Sequence, residues 1–274
     1  MITILGALVL LAAVFIPLEK VFAAVEQPVI HRATLTDLAF FFGQNLLWAG
    51  LIIAALSAIS LQLGAPLSSV AARLPWGLQA VLVVLLGDLV VYWAHRASHR
   101  FEFLWRFHRV HHTAERMDWL AAHREHPIDG LWTQLWLNLP AILLGFPLAT
   151  IAGVAMFRGL WGTVIHSNTR LRLGPVRFLI GAPSLHHWHH ELHRSGRCNF
   201  ANLCPLMDVI FGTFYEPSEE PEQYGVLATT PRSYLGLLLA PLLPMNLQRC
   251  VPAVRLRRPN EHQKRPDPTM ENQR

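Results

Sequence analysis

Three histidine clusters stand out in the sequence: His95-Arg-Ala-Ser-His99, His108-Arg-Val-His111-His112 and His186-His187-Trp188-His189-His190. Residues three and four apart share one face of a helix, so H-x3-H directs two imidazoles at one point. By the same spacing H-x2-H-H directs His108 with His111 and His112, and His186 with His189 and His190. Eight imidazoles from three helical turns are enough for two metal ions. Imidazole suits iron, zinc and copper, whereas magnesium and calcium take oxygen ligands. Other metal motifs fail on spacing. His190-Glu191-Leu192-His193 is one residue short of the zinc-protease pattern H-E-x-x-H. Cys198, Cys204 and Cys250 form no C-x-x-C pair, and no Glu-x-x-His pair suggests a soluble carboxylate di-iron bundle.

The elements that must position these clusters are apolar helices. Hydrophobic residues make up 52% of the 274-residue chain and charged ones 15%, against about 25% charged in soluble domains. A disulfide scaffold, a disordered chain and a nucleic-acid module all fit poorly. Four stretches approach the roughly 20 apolar residues that a membrane span needs: Met1–Pro17, Leu38–Gly64, Trp76–Ala94 and Leu131–Val164. The last is interrupted by Pro140, Gly145 and Pro147, which predicts a helical pair, with a single tilted span as the alternative. The first has a competing reading as a secretory signal peptide, opposed by the lack of Lys or Arg before it. Tyr234–Leu243 is short and contains Pro241, as expected of an interfacial segment.

Charge predicts orientation. Arg96, Arg100, Arg106, Arg109, Arg116 and Arg124 flank the first two clusters, and Arg170, Arg172 and Arg177 follow the fourth stretch. The positive-inside rule then places the histidine-rich face and the C-terminus in the cytoplasm. That face accounts for the net charge of +5 without a nucleic-acid partner. The tail from about Pro259 is polar and Pro-containing, as expected of a disordered segment.

With their flanks, these clusters resemble the sterol desaturase / fatty acid hydroxylase superfamily of integral-membrane enzymes over roughly Ala80 to Tyr215. Asp88-x6-His95-Arg96-x2-His99 and Leu104-Trp105-Arg106-x-His108-x2-His111-His112 resemble its first two boxes, and His186–His190 its last. Arg124-x-His126-Pro127, His166-Ser167-Asn168, Asn199-Phe200 and Asp208 with Phe211-Gly212-Thr213 resemble further family elements, as does Pro17-Leu18-Glu19 after the first helix. One departure is Asn199-Phe200-Ala201 where the family often has Asn-Tyr-Gly, a change that bears on fine positioning or substrate choice. The resemblance implies two iron ions held by His95, His99, His108, His111, His112, His186, His189 and His190, with His166 as a ninth ligand. It implies oxygen-dependent attack on an unactivated C–H bond of a lipid. With no dinucleotide fingerprint visible, electrons must come from outside the chain, and the resemblance implies a cytochrome b5-type or ferredoxin-type donor.

Around the metals, Asp88 is expected to orient a ligating imidazole. His126, Asn168 and His193 are further supporting candidates. His123 and His187 are read as bystanders, His31 and His262 as surface residues, and Trp93, Trp105, Trp119 and Trp188 as an interfacial belt. The expected fold is all-α and integral to the membrane, with about four transmembrane helices under a cytoplasmic helical cap that holds the di-metal site. Residues 1–79 form N-terminal spans, 80–217 the catalytic domain with a membrane hairpin near 131–164, and 218–274 an interfacial segment and tail. Hydroxylation of a fatty acyl or sterol-like substrate is the leading reading, with desaturation or ether-lipid cleavage on the same site as alternatives. The rival from another class is a non-catalytic membrane metal or haem binder, which would scatter its ligands over several spans at membrane depth.

Overall fold

A computed structural model describes residues 2–63, 71–193 and 197–243. His262, Cys250 and the tail from Pro259 lie outside them. The described chain is helical, and its β-type pairing is limited to two isolated bridges, Ala23 with Thr169 and Glu191 with Tyr224. Helix α1 (Ile2–Val21) runs on through Pro17. Helix α2 (Thr34–Gly43) continues through a π-helical turn, Gln44–Trp48, into α3 (Ala49–Leu63). Then come α4 (Trp76–Arg100), α5 (Glu102–His112), α6 (Pro127–Leu143), α7 (Leu148–His166), and the short helices α8 (Pro183–His189), α9 (Leu206–Ile210) and α10 (Tyr234–Leu239).

Among the described residues, four helices are long and apolar enough to cross a membrane: Ile2–Val21, Thr34–Ile59, Trp76–Arg100 and Leu148–His166. Their outer faces carry exposed Leu10, Leu51, Ile53, Val81, Met156 and Leu160. Exposed apolar faces of this extent suit lipid rather than water. The interrupted stretch resolves into a helical pair. Helix α6 stops at Leu144, and Gly145 (φ 70°) takes the left-handed conformation that glycine adopts most readily. Phe146 N then bonds Ala141 O at 3.0 Å and Gly145 N bonds Ile142 O at 3.0 Å, the double bond of a glycine-terminated helix. Pro147 starts α7 from an extended conformation.

Helix α4 is the centre of the assembly. Val83 packs with Ala141, Ile142, Phe146, Ile151 and Val154 of the α6–α7 hairpin. Gly87 permits close approach: a Cβ there would lie 2.7 Å from Leu137 O of α6. Helix α1 is anchored differently. Phe15 stacks on Trp119 at 6.2 Å, so Trp119 is buried in a core cluster and does not stand in an interfacial belt. Glu19 accepts from the backbone N–H groups of Trp119 (2.7 Å) and Asn168 (3.1 Å). His31, expected at the surface, is instead tucked against Asp118 through Nε2 at 2.8 Å. Helix α10 returns to α2, where Tyr234 meets Phe40 edge to face at 4.8 Å.

Glu19→Ala should orphan two backbone donors at costs of about 1–3 kcal/mol each. The expected outcome is a clear fall in the unfolding temperature of detergent-purified protein, with Glu19→Gln, which keeps an acceptor, falling less.

Candidate metal centre

Chain geometry at the end of α4 sets up the site. Phe101 breaks the helix with an extended conformation, and α5 starts at Glu102 on a new axis. His95 and His99 on α4 therefore face α5, while α8 closes from a third direction. Nine histidines converge in two groups. One contains His95, His99, His108, His112 and His189, and the other His111, His166, His186 and His190; within each, the ligand atoms lie within 4.8 Å of one another.

The groups refine the spacing argument. H-x2-H-H does not aim three rings together. The i, i+4 pair His108 and His112 enters the first group, and His111, rotated by about 100° from its neighbour His112, enters the second. Helix α8 does the reverse: His186 and His190 enter the second group and His189 the first. Each H-x2-H-H box thus bridges both groups, whereas His95 and His99 both enter the first. His166, at the last residue of α7, supplies the fourth nitrogen of the second group.

The nitrogens are arranged for a cation. Nε2 atoms approach at 3.0 Å (His95 to His108), 3.2 Å (His99 to His189), 3.1 Å (His111 to His166) and 3.0 Å (His186 to His190). Five Nδ1 atoms face acceptors: His95 faces Phe200 O (2.8 Å), His108 Asp129 (2.9 Å), His111 Arg124 O (3.0 Å), His166 Gly162 O (2.7 Å) and His189 Cys198 O (2.8 Å). A carbonyl has no proton to give, so each of these carbonyl-facing Nδ1 atoms carries the N–H, and the ring's Nε2 is a bare lone pair in the neutral form. Where both rings are fixed in this way, as in His111 and His166, bare lone pairs about 3 Å apart repel unless a cation lies between them. Nitrogens about 2.1 Å from one metal sit about 3.0 Å apart at right angles, so the donor set fits a metal. Burial pushes His108 and His111 down to about 3, and His112, His186, His189 and His190 well below the usual imidazole range. The rings are neutral at pH 7, as ligands must be.

The supporting residues differ from those expected. Asp88 touches no histidine. It pairs with Arg158 of α7 and accepts from Cys204 N at 2.6 Å, while Arg158 also donates to Asn202 (2.9 Å) and Val84 O (2.9 Å). A buried acid in a span needs a cation, and here it found one on the neighbouring helix. The carboxylate that orients an imidazole is Asp129, in the first turn of α6, through His108 Nδ1. Nothing in the spacing of the boxes singles it out. The clue was Pro127, which starts a helix whose first turn favours an acid. His126 caps that helix: its Nδ1 accepts from Ile128 N (3.1 Å) and its Nε2 donates to Leu238 O (3.1 Å). Asn168 bonds Val25 N and O, at 3.0 and 2.8 Å, fastening the N-terminal segment and not a ligand. His193 is exposed. His187 is fully buried between Glu220 (2.8 Å) and Ser167 O (3.0 Å), away from both groups. Trp105 packs on the His99 ring at 5.0 Å.

The closing segment acts through its backbone. Asp208 accepts from Phe200 N (2.7 Å), Ala201 N (2.9 Å) and Thr213 Oγ1 (2.7 Å). Asn199 donates to Leu185 O and Tyr215 O, each at 2.7 Å, from a left-handed conformation (φ 55°). These bonds hold the Cys198 and Phe200 carbonyls where His189 and His95 need them. Phe200, at the departure from the family pattern, lays its ring against His95, His99 and His189 at 5.5–5.8 Å. A cavity of about 310 Å³ opens from the histidines between α4, α6 and α7.

Residues 80–213 match the model of the fatty acid hydroxylase family, in keeping with the resemblance carried by the boxes. Among curated proteins, an ornithine lipid hydroxylase of Rhizobium tropici is 30% identical over 61% of this chain and 51% of its own length. The human alkylglycerol monooxygenase is 31% identical over 51% of this chain and 31% of its own. A Delta(7)-sterol 5(6)-desaturase of Gibberella zeae is 31% identical over 52% of this chain and 39% of its own. The matched stretch therefore spans about half or less of these relatives. No solved structure matches.

Two substitutions separate the carboxylates. Asp129→Asn should weaken metal retention by about 10–100-fold, read by chelator competition on purified protein. Asp88→Ala should instead unfold the protein more easily, by about 3–5 kcal/mol for a broken buried pair, seen as a lowered unfolding temperature in apo and metal-loaded samples alike.

Proposed function

We propose, for a chain whose residues 80–213 belong to the fatty acid hydroxylase family, that it is a membrane-bound di-iron oxygenase hydroxylating a C–H bond of a lipid. The observation that carries this reading is the pair of convergent Nε2 groups at the end of a cavity between membrane helices. His95, His99, His108, His112 and His189 would hold one iron and His111, His166, His186 and His190 the other. When bound, the irons supply reductive activation of O2. The balance is R–H + O2 + two electrons + two protons giving R–OH + H2O, with the electrons from an external cytochrome b5-type or ferredoxin-type protein.

The chain's own residues do the rest. Asp129 and the carbonyls of Phe200, Arg124, Gly162 and Cys198 hold five ring nitrogens in one tautomer, so the site is organised before substrate arrives. Phe200 and Trp105 cover the first group and exclude water, which limits side reactions. The cavity between α4, α6 and α7 admits an alkyl chain from the bilayer. Its position fits residues 80–217 as the catalytic unit, with residues 1–79 as supporting spans and 218–274 as an interfacial segment and tail. His95 and His99 end α4 and His166 ends α7, so both spans deliver ligands from the same side. The arginines around that end make it cytoplasmic by the positive-inside rule. Ligands gathered at span ends also favour the enzyme over a metal carrier with ligands scattered at membrane depth.

Purified protein should contain two irons per chain, and lipid profiling of cells expressing it should reveal species heavier by one oxygen. Species lighter by two hydrogens would assign desaturation, and a released aldehyde would assign ether cleavage. His111→Ala should abolish these species, and their persistence at the wild-type level in that variant would refute the proposal.

A further inference from the structure

The cavity that ends on the histidines carries a polar group that metal binding leaves unused. Glu125 lines its wall, one residue before the His126 cap of α6. Its Oε2 accepts from Gln44 Nε2 at 3.1 Å, and Gln44 lines the cavity too. Gln44 opens the π-helical turn that interrupts the second span. Such turns insert an extra residue into the helical register and often mark functional positions. Gly130 leaves room for the carboxylate, since a Cβ there would lie 2.9 Å from Glu125 Oε2. Among the described residues no donor reaches Oε1.

A carboxylate offers about four acceptor sites, and this half-buried one on the cavity wall has a single side-chain donor. Burial first, and the nearby Asp129 carboxyl second, push the Glu125 carboxyl up to about 8, and a cationic donor arriving beside it would favour the ionised form. The opposite wall is wide. Gly159 and Gly162 of α7 line the cavity, and a Cβ at either would meet nothing within 4 Å. An alkyl chain therefore has space along α7 while a polar group faces α6.

We propose that Glu125, backed by Gln44, is a recognition site for an N–H or O–H donor of the lipid substrate, with a primary ammonium as its best ligand. The substrate class is then a lipid that carries an amine or hydroxyl group within the cavity, in preference to a bare hydrocarbon or a quaternary ammonium. This deepens the reading of the cavity as a lipid site, but recognition itself needs neither iron nor electrons.

The test is equilibrium binding of radiolabelled dodecylamine, dodecanol and dodecyltrimethylammonium to the full chain in nanodiscs, with empty nanodiscs correcting for partition. Wild-type protein should bind dodecylamine at least tenfold more tightly than dodecyltrimethylammonium, with dodecanol between them. Glu125→Gln keeps the size and one acceptor oxygen. It should lose most of the preference for the amine and retain that for the alcohol, and Glu125→Leu should lose both. The same order of affinities in wild type and both variants would overturn the proposal. Lipid oxidation separates the two readings. A retained amine preference in protein that oxidises no lipid removes the oxygenase assignment alone, whereas oxidation indifferent to Glu125→Gln together with unchanged binding removes this proposal alone.

Discussion

Imidazole nitrogens held about 3 Å apart, with no proton between those of His111 and His166, are the constraint on which this structure depends. Each ring that gives its Nδ1 proton to a carbonyl turns a bare Nε2 toward its neighbours. Such a cluster is repulsive in an empty, dry site and cohesive around cations. The surrounding chain must therefore hold the rings in place against that repulsion. It does so with backbone acceptors from loops, one carboxylate from Asp129, and the rigid packing of α4 on the α6–α7 hairpin.

The loops explain why so much polar chemistry lies away from the histidine groups. Asp208, Asn199 and the Asp88–Arg158 pair contact no ligating histidine, yet they fix the segment 198–204 whose carbonyls receive His95 and His189. Loss of any of them would loosen the ring orientations. Glu19 plays a comparable part at the other edge, joining the first span to residue 168, two positions beyond His166. The first span thus contributes to the site through its anchor, while most of its surface stays free for lipid.

Placement at the span ends reconciles two opposed needs. Nine histidines and their acceptors need a dry, ordered pocket, and the proposed lipid substrate needs an apolar approach. Helices α4 and α7 provide the approach along their length and end in clustered histidines, so the cavity leads from the region between the spans to the two nitrogen groups. Glu125 and Gln44 add a polar edge to that route at the junction of α6 with the π-helical turn.

Much of this was legible in the sequence, because it is local. H-x3-H and H-x2-H-H are statements about one helix, and the apolar stretches are statements about length and composition. The boxes lie on helices and four span-length helices are found among the described residues, although H-x2-H-H sends its rings to two groups and only the second half of the fourth stretch, Leu148–His166, is long enough to span. The hairpin was also local, written in Gly145 and Pro147. What spacing could not decide is which rings share a centre. A helix advances by about 100° per residue, so His111 turns away from His112 and His189 from His190, and only the packing of α4, α5, α7 and α8 shows where each ring arrives. The partner of a buried acid is equally non-local. Asp88 stands in helical register with His95 but meets Arg158, while Asp129, silent in the motifs, meets His108. The sequence by itself determined that this is a membrane helical protein with a histidine-built centre. Tertiary structure alone decided the division into five and four nitrogens, and which carboxylate serves them, because both depend on residues distant in the chain being brought within hydrogen-bond reach.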